Sequence, residues 1–235
     1  MNLLANLLTL LSLTCGFVSI IFSLESHFTF ACWAIILSVV FDGFDGEIAR
    51  KNPVPSEFGK ELDSLVDVVS FGIAPSILGY IFVYRSFYLA ATLSLFIYLL
   101  ASVMRLAKYN ITSKEKLVNY FYGLPTTASG GALASFILIF RKGKDLSPLP
   151  EAVHTIFLLL VLLLASLMVS RVRYLNLNGL KKLFGSKIRL VVSLLIIAVI
   201  SAASFRKAGT AIFSFFLLYL LFSPFAVKRL MGHSK

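Results

Sequence analysis

The sequence predicts an all-α membrane protein that crosses the bilayer about eight times. Three observations predict it. Of 235 residues, 58% are apolar and only 14% charged, where a soluble domain carries about a quarter charged residues. Mean hydropathy is +0.90, which also excludes disorder, since disorder needs low hydrophobicity. The apolar residues fall in runs near the roughly 20 residues that a helix needs to cross a hydrocarbon core about 30 Å thick.

Those runs lie at 7–24, 28–45, 62–84, 87–104, 123–140, 152–169, 190–204 and 211–227, the second and seventh being short. The start of the chain lacks a basic n-region and a small-residue cleavage site, so the first run reads as a retained span. No low-complexity tract, fixed-period repeat or long linker interrupts the series, and 1–235 reads as a single transmembrane domain. Cys15 and Cys32 sit in apolar runs without a CxxC pair, so neither a disulfide framework nor a zinc site is suggested.

Eight spans place both termini on one side, and basic residues choose which side. Sixteen of the 22 Lys and Arg fall in one set of loops and the C-terminal tail, among them Arg50, Lys60, Arg105, Lys108, Lys181 and Lys182; six fall in the other. The richer side is expected to be cytoplasmic, with both termini there. In so apolar a chain the net charge of +11 points to anionic lipid headgroups rather than nucleic acid.

Seven of the eleven acidic residues crowd between positions 42 and 67, where the second span turns into the third. At about 100° per residue, Asp42 and Asp45 share a helix face, as do Asp63 and Asp67. Asn52-Pro53-Val54-Pro55-Ser56 is a natural turn between them. Antiparallel neighbours would therefore bring four carboxylates together at their cytoplasmic ends. Facing lipid, four Asp would cost roughly 10–14 kcal/mol, comparable with the whole stability of a protein, about 5–15 kcal/mol. Two carboxylates 4 Å apart repel by about 4 kcal/mol at an effective dielectric near 20. The group must face a wet cleft and be neutralised by cations. Oxygen ligands without a nearby His or Cys suit a hard divalent ion such as Mg²⁺, Mn²⁺ or Ca²⁺. The plainer reading makes Asp63 a cap and Glu57 and Glu61 partners of a helix dipole, but capping does not require paired acids on both helices. Gly43 and Gly46 remove bulk beside the Asp pair, for a ligand or for a packed helix, and Gly59 is expected to end the turn. Ala128-Ser129-Gly130-Gly131-Ala132 reads as a packing or dimer surface.

Positions 42–67 spell Asp42-x2-Asp45-Gly46-x2-Ala49-Arg50-x8-Gly59-x3-Asp63-x3-Asp67, which resembles, without a gap, the signature of the CDP-alcohol phosphotransferase family. The resemblance implies transfer of a substituted phosphoryl group from a CDP-linked donor to an alcohol, with release of CMP. Phe58–Leu65, Val69–Pro75, Arg105-Leu106-Ala107-Lys108-Tyr109-Asn110, Gly123-Leu124-Pro125 and Met168-Val169-Ser170 are similar to its integral-membrane, serine-using branch. Lys108-Tyr109 stands where that branch is expected to carry Arg-Phe. The likeness covers about residues 2–175; 1–175 would form a six-span catalytic core and 176–235 two further spans.

The resemblance implies that Asp42, Asp45 and Asp63 ligate one or two divalent ions, Mg²⁺ or Mn²⁺, with Asp67 shared between metal and general base. It implies contacts to the nucleotide from Gly46, Ala49, Arg50, Ser56 and Gly59, and from Asn6 and Thr9, for which capping of the first helix is the alternative. Serine's hydroxyl needs a base; His27 and His154 fall on the non-cytoplasmic side and His233 in the tail, leaving Asp67. Arg105, Lys108 and Asn110 would bind lipid phosphate or the acceptor, or simply anchor the cytoplasmic end of their span. The expected substrates are CDP-diacylglycerol, or a CDP-linked ether lipid, and L-serine. The expected assembly is a homodimer in the cytoplasmic membrane, its site open to cytosol and bilayer. Glycerol phosphate, inositol phosphate or choline are alternative acceptors. A cation channel or transporter would explain the four Asp but not the interleaved Gly46, Ala49, Arg50 and Gly59.

Overall fold

A computed structural model describes residues 3–50, 57–112, 120–140, 149–175 and 208–232. These are helical apart from one short strand pair. Helix α1 (Leu3–Leu24) turns at Glu25–His27, where Ser26 takes a positive φ of 60°, into α2 (Phe28–Arg50). The two form an antiparallel pair stitched by small hydroxyls: Ser12 Oγ and Ser38 Oγ lie 2.7 Å apart, and Ser19 Oγ donates to the Ala31 carbonyl at 2.9 Å. In lipid, where helices gain little by burying apolar surface against each other, such small polar contacts hold them together.

The third span has three parts: α3 (Glu57–Asp67), a π-helical turn (Val68–Ile73) and α4 (Ala74–Val83). Helix α5 (Tyr88–Thr112) returns, strand β1 (Tyr120–Tyr122) follows, and α6 (Thr126–Phe140) and α7 (Glu151–Val169) lead to strand β2 (Arg173–Leu175). β1 and β2 pair antiparallel, Phe121 opposite Tyr174. Helix α8 (Ala208–Gly232) ends the described chain. It runs antiparallel to α6: Gly209 lies against Leu138 and Ile139, and Phe216 against Gly131.

Among the described residues, six helices or helix pairs are long and apolar enough to cross a membrane, and α6 is a shorter apolar helix. Seven of the eight expected spans thus have counterparts; the run 190–204 lies outside the described residues. The second is not short. No proline interrupts Phe41–Arg50, so α2 runs on through Gly43 and Gly46 and carries Asp42 and Asp45 within the helix. The third starts five residues earlier than expected, with Glu57 in its first turn, where an acid suits the positive end of the helix dipole. Gly59 therefore lies within α3 rather than ending a turn, and Asp63 lies well inside it, which removes the capping alternative. The short helix is instead the fifth, because Gly123 (φ 79°) and Pro125 delay its start to Thr126. At 15 residues it spans only about 22 Å, and it is buried along nearly its whole length by its neighbours.

The core lies between α2, α4, α5, α6 and α7, around Phe28, Ile35, Leu78, Tyr98, Ile137, Phe157 and Leu164. The π turn sits at the edge of this core, on the side of the acidic residues, gripped from three sides. A Cβ at Gly16 of α1 would stand 2.5 Å from Ser70 Oγ, one at Gly130 of α6 3.3 Å from Phe71 Cα, and one at Gly72 3.1 Å from Ser102 Oγ of α5. Gly130 and Gly131 are thus internal packing positions.

Candidate active site

The end of α2 and the start of the third span meet as antiparallel neighbours, and the acids gather there. Asp42, Asp63 and Asp67 each offer a carboxylate oxygen, all within 4.8 Å of one another. The Asp42 and Asp67 carboxyls stand within hydrogen-bonding reach of each other. Asp42 and Asp63 are half-buried, Asp67 is 9% exposed and Asp45 4%. Asp45, one turn on from Asp42, is close enough to repel it but lies outside the set of three. Three carboxylates at this spacing need protons or a cation between them, because water screens buried charges poorly. The donor set fits a hard divalent ion: all ligands are oxygen and at least one is deeply buried.

One buried cation faces the acids. Arg105 of α5 is 9% exposed and is attracted to Asp67 and Asp42. Its Nη1 donates to Thr126 Oγ1 at 3.1 Å, and its guanidinium lies 5.7 Å from the Tyr109 ring centre. Its Nε is buried and has no hydrogen-bond partner among the described residues. Tyr219 of α8 also lies within electrostatic reach of Arg105, so a helix from the far end of the chain approaches this side of the site.

The remaining expected residues divide. Asn110 does not simply face a pocket: its Nδ2 donates to Ser64 Oγ at 2.8 Å, and its carbonyl accepts from Lys60 Nζ at 3.1 Å. Lys108 is exposed. Asn6 is half-buried in α1, and the Thr9 hydroxyl donates to the Ala5 carbonyl at 3.0 Å within that helix. Thr9 is therefore no helix cap. Gly46 is half-buried; Gly43 is exposed, and no atom of the described residues lies within 4 Å of where its Cβ would stand. Ala49 and Arg50 close α2; their side chains, and Ser56, lie outside what the structure describes.

Sequence reasoning missed the π turn that follows Asp67 and the hydroxyl of Tyr98 that meets it. A signal was present in Pro75, which removes one N–H from the middle of a predicted span. It also missed the strand pair, where Arg173 packs over the Tyr120 and Tyr122 rings at 5.2 and 5.6 Å.

Residues 2–167 match the family model described as CDP-alcohol phosphatidyltransferase. A Helicobacter pylori protein named CDP-diacylglycerol--serine O-phosphatidyltransferase is 34% identical over 176 residues, covering 75% of this chain and 73% of its own. One of the same name from Methanocaldococcus jannaschii is 33% identical over 171 residues, 72% of each chain. An archaetidylserine synthase of Methanothermobacter thermautotrophicus is 35% identical over 137 residues, covering 57% of this chain and 58% of its own. With its acid cluster assembled and most of its length matched, the chain belongs to the CDP-alcohol phosphatidyltransferase family.

Proposed function

We propose that the protein transfers the phosphatidyl group of CDP-diacylglycerol to the hydroxyl of L-serine, giving phosphatidylserine and CMP. The observation that carries this is the convergence of Asp42, Asp63 and Asp67 within 4.8 Å in a chain whose relatives bear the serine transferase name. In the reaction the serine oxygen forms a bond to the lipid-bearing phosphorus, and the bond from that phosphorus to the CMP oxygen breaks.

Asp42, Asp45 and Asp63, with Asp67 shared, would hold one or two Mg²⁺ or Mn²⁺ ions. Such a cation, when bound, neutralises pyrophosphate charge and eases departure of CMP. Asp67 takes the proton from the attacking hydroxyl. Its burial beside Arg105 keeps it out of bulk water, where proton transfer would be unguided. The open Arg105 Nε–H suits the carboxylate of serine, since a planar guanidinium pairs well with carboxylates. The small residues Gly43 and Gly46 would leave room for the cytidine end of the donor, with Ala49, Arg50, Ser56 and Gly59, and Asn6 and Thr9 from α1, around it. Basic residues weight the loops on this side, which supports a site open to the cytosol in the cytoplasmic membrane; a homodimer completes the reading.

The test is acceptor competition with purified protein and CDP-diacylglycerol. Labelled serine should enter lipid with metal-dependent release of CMP, and labelled glycerol phosphate should not. Incorporation of glycerol phosphate in place of serine overturns the acceptor, and no CMP release overturns the reaction. The archaetidylserine synthase likeness favours, as a second reading, the same transfer from a CDP-linked ether lipid; presenting both donors separates the two.

A further inference from the structure

Pro75 stands at the start of α4, inside the third span. Lacking an N–H, it cannot donate to the carbonyl of Phe71, four residues earlier. In a bilayer a bare helix carbonyl is costly, and a neighbouring helix must supply the donor. Here the Tyr98 hydroxyl does so: it donates to the Phe71 carbonyl at 2.9 Å, with Ser129 Oγ 3.0 Å away, and Tyr98 is wholly buried. Gly72 lets α5 close on the same turn, its missing Cβ leaving room for Ser102 and Leu99. The wide turn begins directly after Asp67, and π turns are rare unless surrounding contacts hold them.

Tyr98 and Arg105 lie seven residues apart on α5. That is two helical turns, on one face, about 10.5 Å along the axis. One rigid helix thus fixes the turn behind Asp67 with Tyr98 and presents Arg105 to the Asp67 carboxylate.

We propose that Tyr98 is a positioning residue: by bonding the Phe71 carbonyl it holds the π turn in register and so sets Asp67 relative to Asp42, Asp63 and Arg105. This rests on the reading of the aspartates as a cation site.

The experiment measures Mn²⁺ binding to purified protein in detergent, by the dependence of melting temperature on Mn²⁺ and by electron paramagnetic resonance, in wild type, Tyr98→Phe and Ser76→Ala. The Ser76 hydroxyl also bonds a carbonyl of the turn, Gly72 at 2.7 Å, from within the same helix, and reaches α5 only through a long contact to the Leu95 carbonyl at 3.5 Å. Tyr98→Phe should move the Mn²⁺ midpoint up roughly tenfold, as loss of a group that orients a metal ligand does, and Ser76→Ala should leave it in place. A Tyr98→Phe protein that melts lower yet binds Mn²⁺ at the wild-type midpoint overturns the inference, as does an equal shift in Ser76→Ala. Failure of wild type to bind Mn²⁺ at all sinks the cation-site reading itself, a different result.

Discussion

The Asn110 side chain donates to Ser64 at 2.8 Å, bolting the C-terminal end of α5 to α3 one residue beyond Asp63. Lys60 reinforces the join from the Asn110 carbonyl. The acid helix is therefore tethered at two levels, by Asn110 along its length and by Tyr98 beyond its end.

Asn110→Ala should lower stability by about 1 kcal/mol, the usual net value of one hydrogen bond, and reduce turnover through the displaced α3. Thermal melting beside steady-state kinetics checks it. A raised serine KM at unchanged melting temperature would instead make Asn110 a direct acceptor contact.

Asp67→Asn should keep the protein inserted and able to bind CDP-lipid while cutting CMP release by about 100- to 10,000-fold, the range for loss of a general base. Near-normal turnover would remove Asp67 from that role.

Chelation with EDTA should abolish CMP release, and Mg²⁺ or Mn²⁺ should restore it. Asp42→Asn should raise the metal concentration needed for half activity, since Asp42 lies inside the three-carboxylate set; an unchanged metal requirement would exclude it as a ligand.

Two glycines should behave oppositely. Gly16→Ala puts a methyl 2.5 Å from Ser70 Oγ and 2.8 Å from Ser70 Cα, so it should cost about 1–3 kcal/mol by overpacking. Gly43→Ala meets no described atom within 4 Å and should hold or slightly raise the melting temperature, as Ala in place of a helical Gly does, while lowering turnover by narrowing the nucleotide's path. Melting curves and CMP release on both variants decide it.

The acid cluster was legible because side-chain spacing on a helix is rigid: Asp42 and Asp45, and Asp63 and Asp67, had to share faces once two apolar runs were recognised as antiparallel neighbours. The same rule located α1, α7 and α8 to within a few residues. It misplaced the ends of α2 and α5, because both helices run on through polar residues that an apolar count discards. It also could not tell that Asp45 lies outside the set of three, since which of two acids on one face meets α3 depends on where the two helices cross. Arg105 read as an anchor or a ligand; its burial, its attraction to Asp67 and its bond to Thr126, brought in by the delayed start of α6, show it turned inward. The Tyr98 bond joins positions 27 apart, and no local periodicity encodes a pairing of that kind.

Helix α8 lies beyond the segment matched to the family, yet it is fastened to the rest at three points. Phe216 fills the notch at Gly131, the Tyr219 hydroxyl donates to the Leu175 carbonyl at 3.0 Å, and Ser223 Oγ accepts from the Leu175 N–H at 2.6 Å. Tail swaps with relatives therefore have a rule to obey: position 131 and position 216 must travel together, because any side chain larger than hydrogen at 131 collides with the incoming ring.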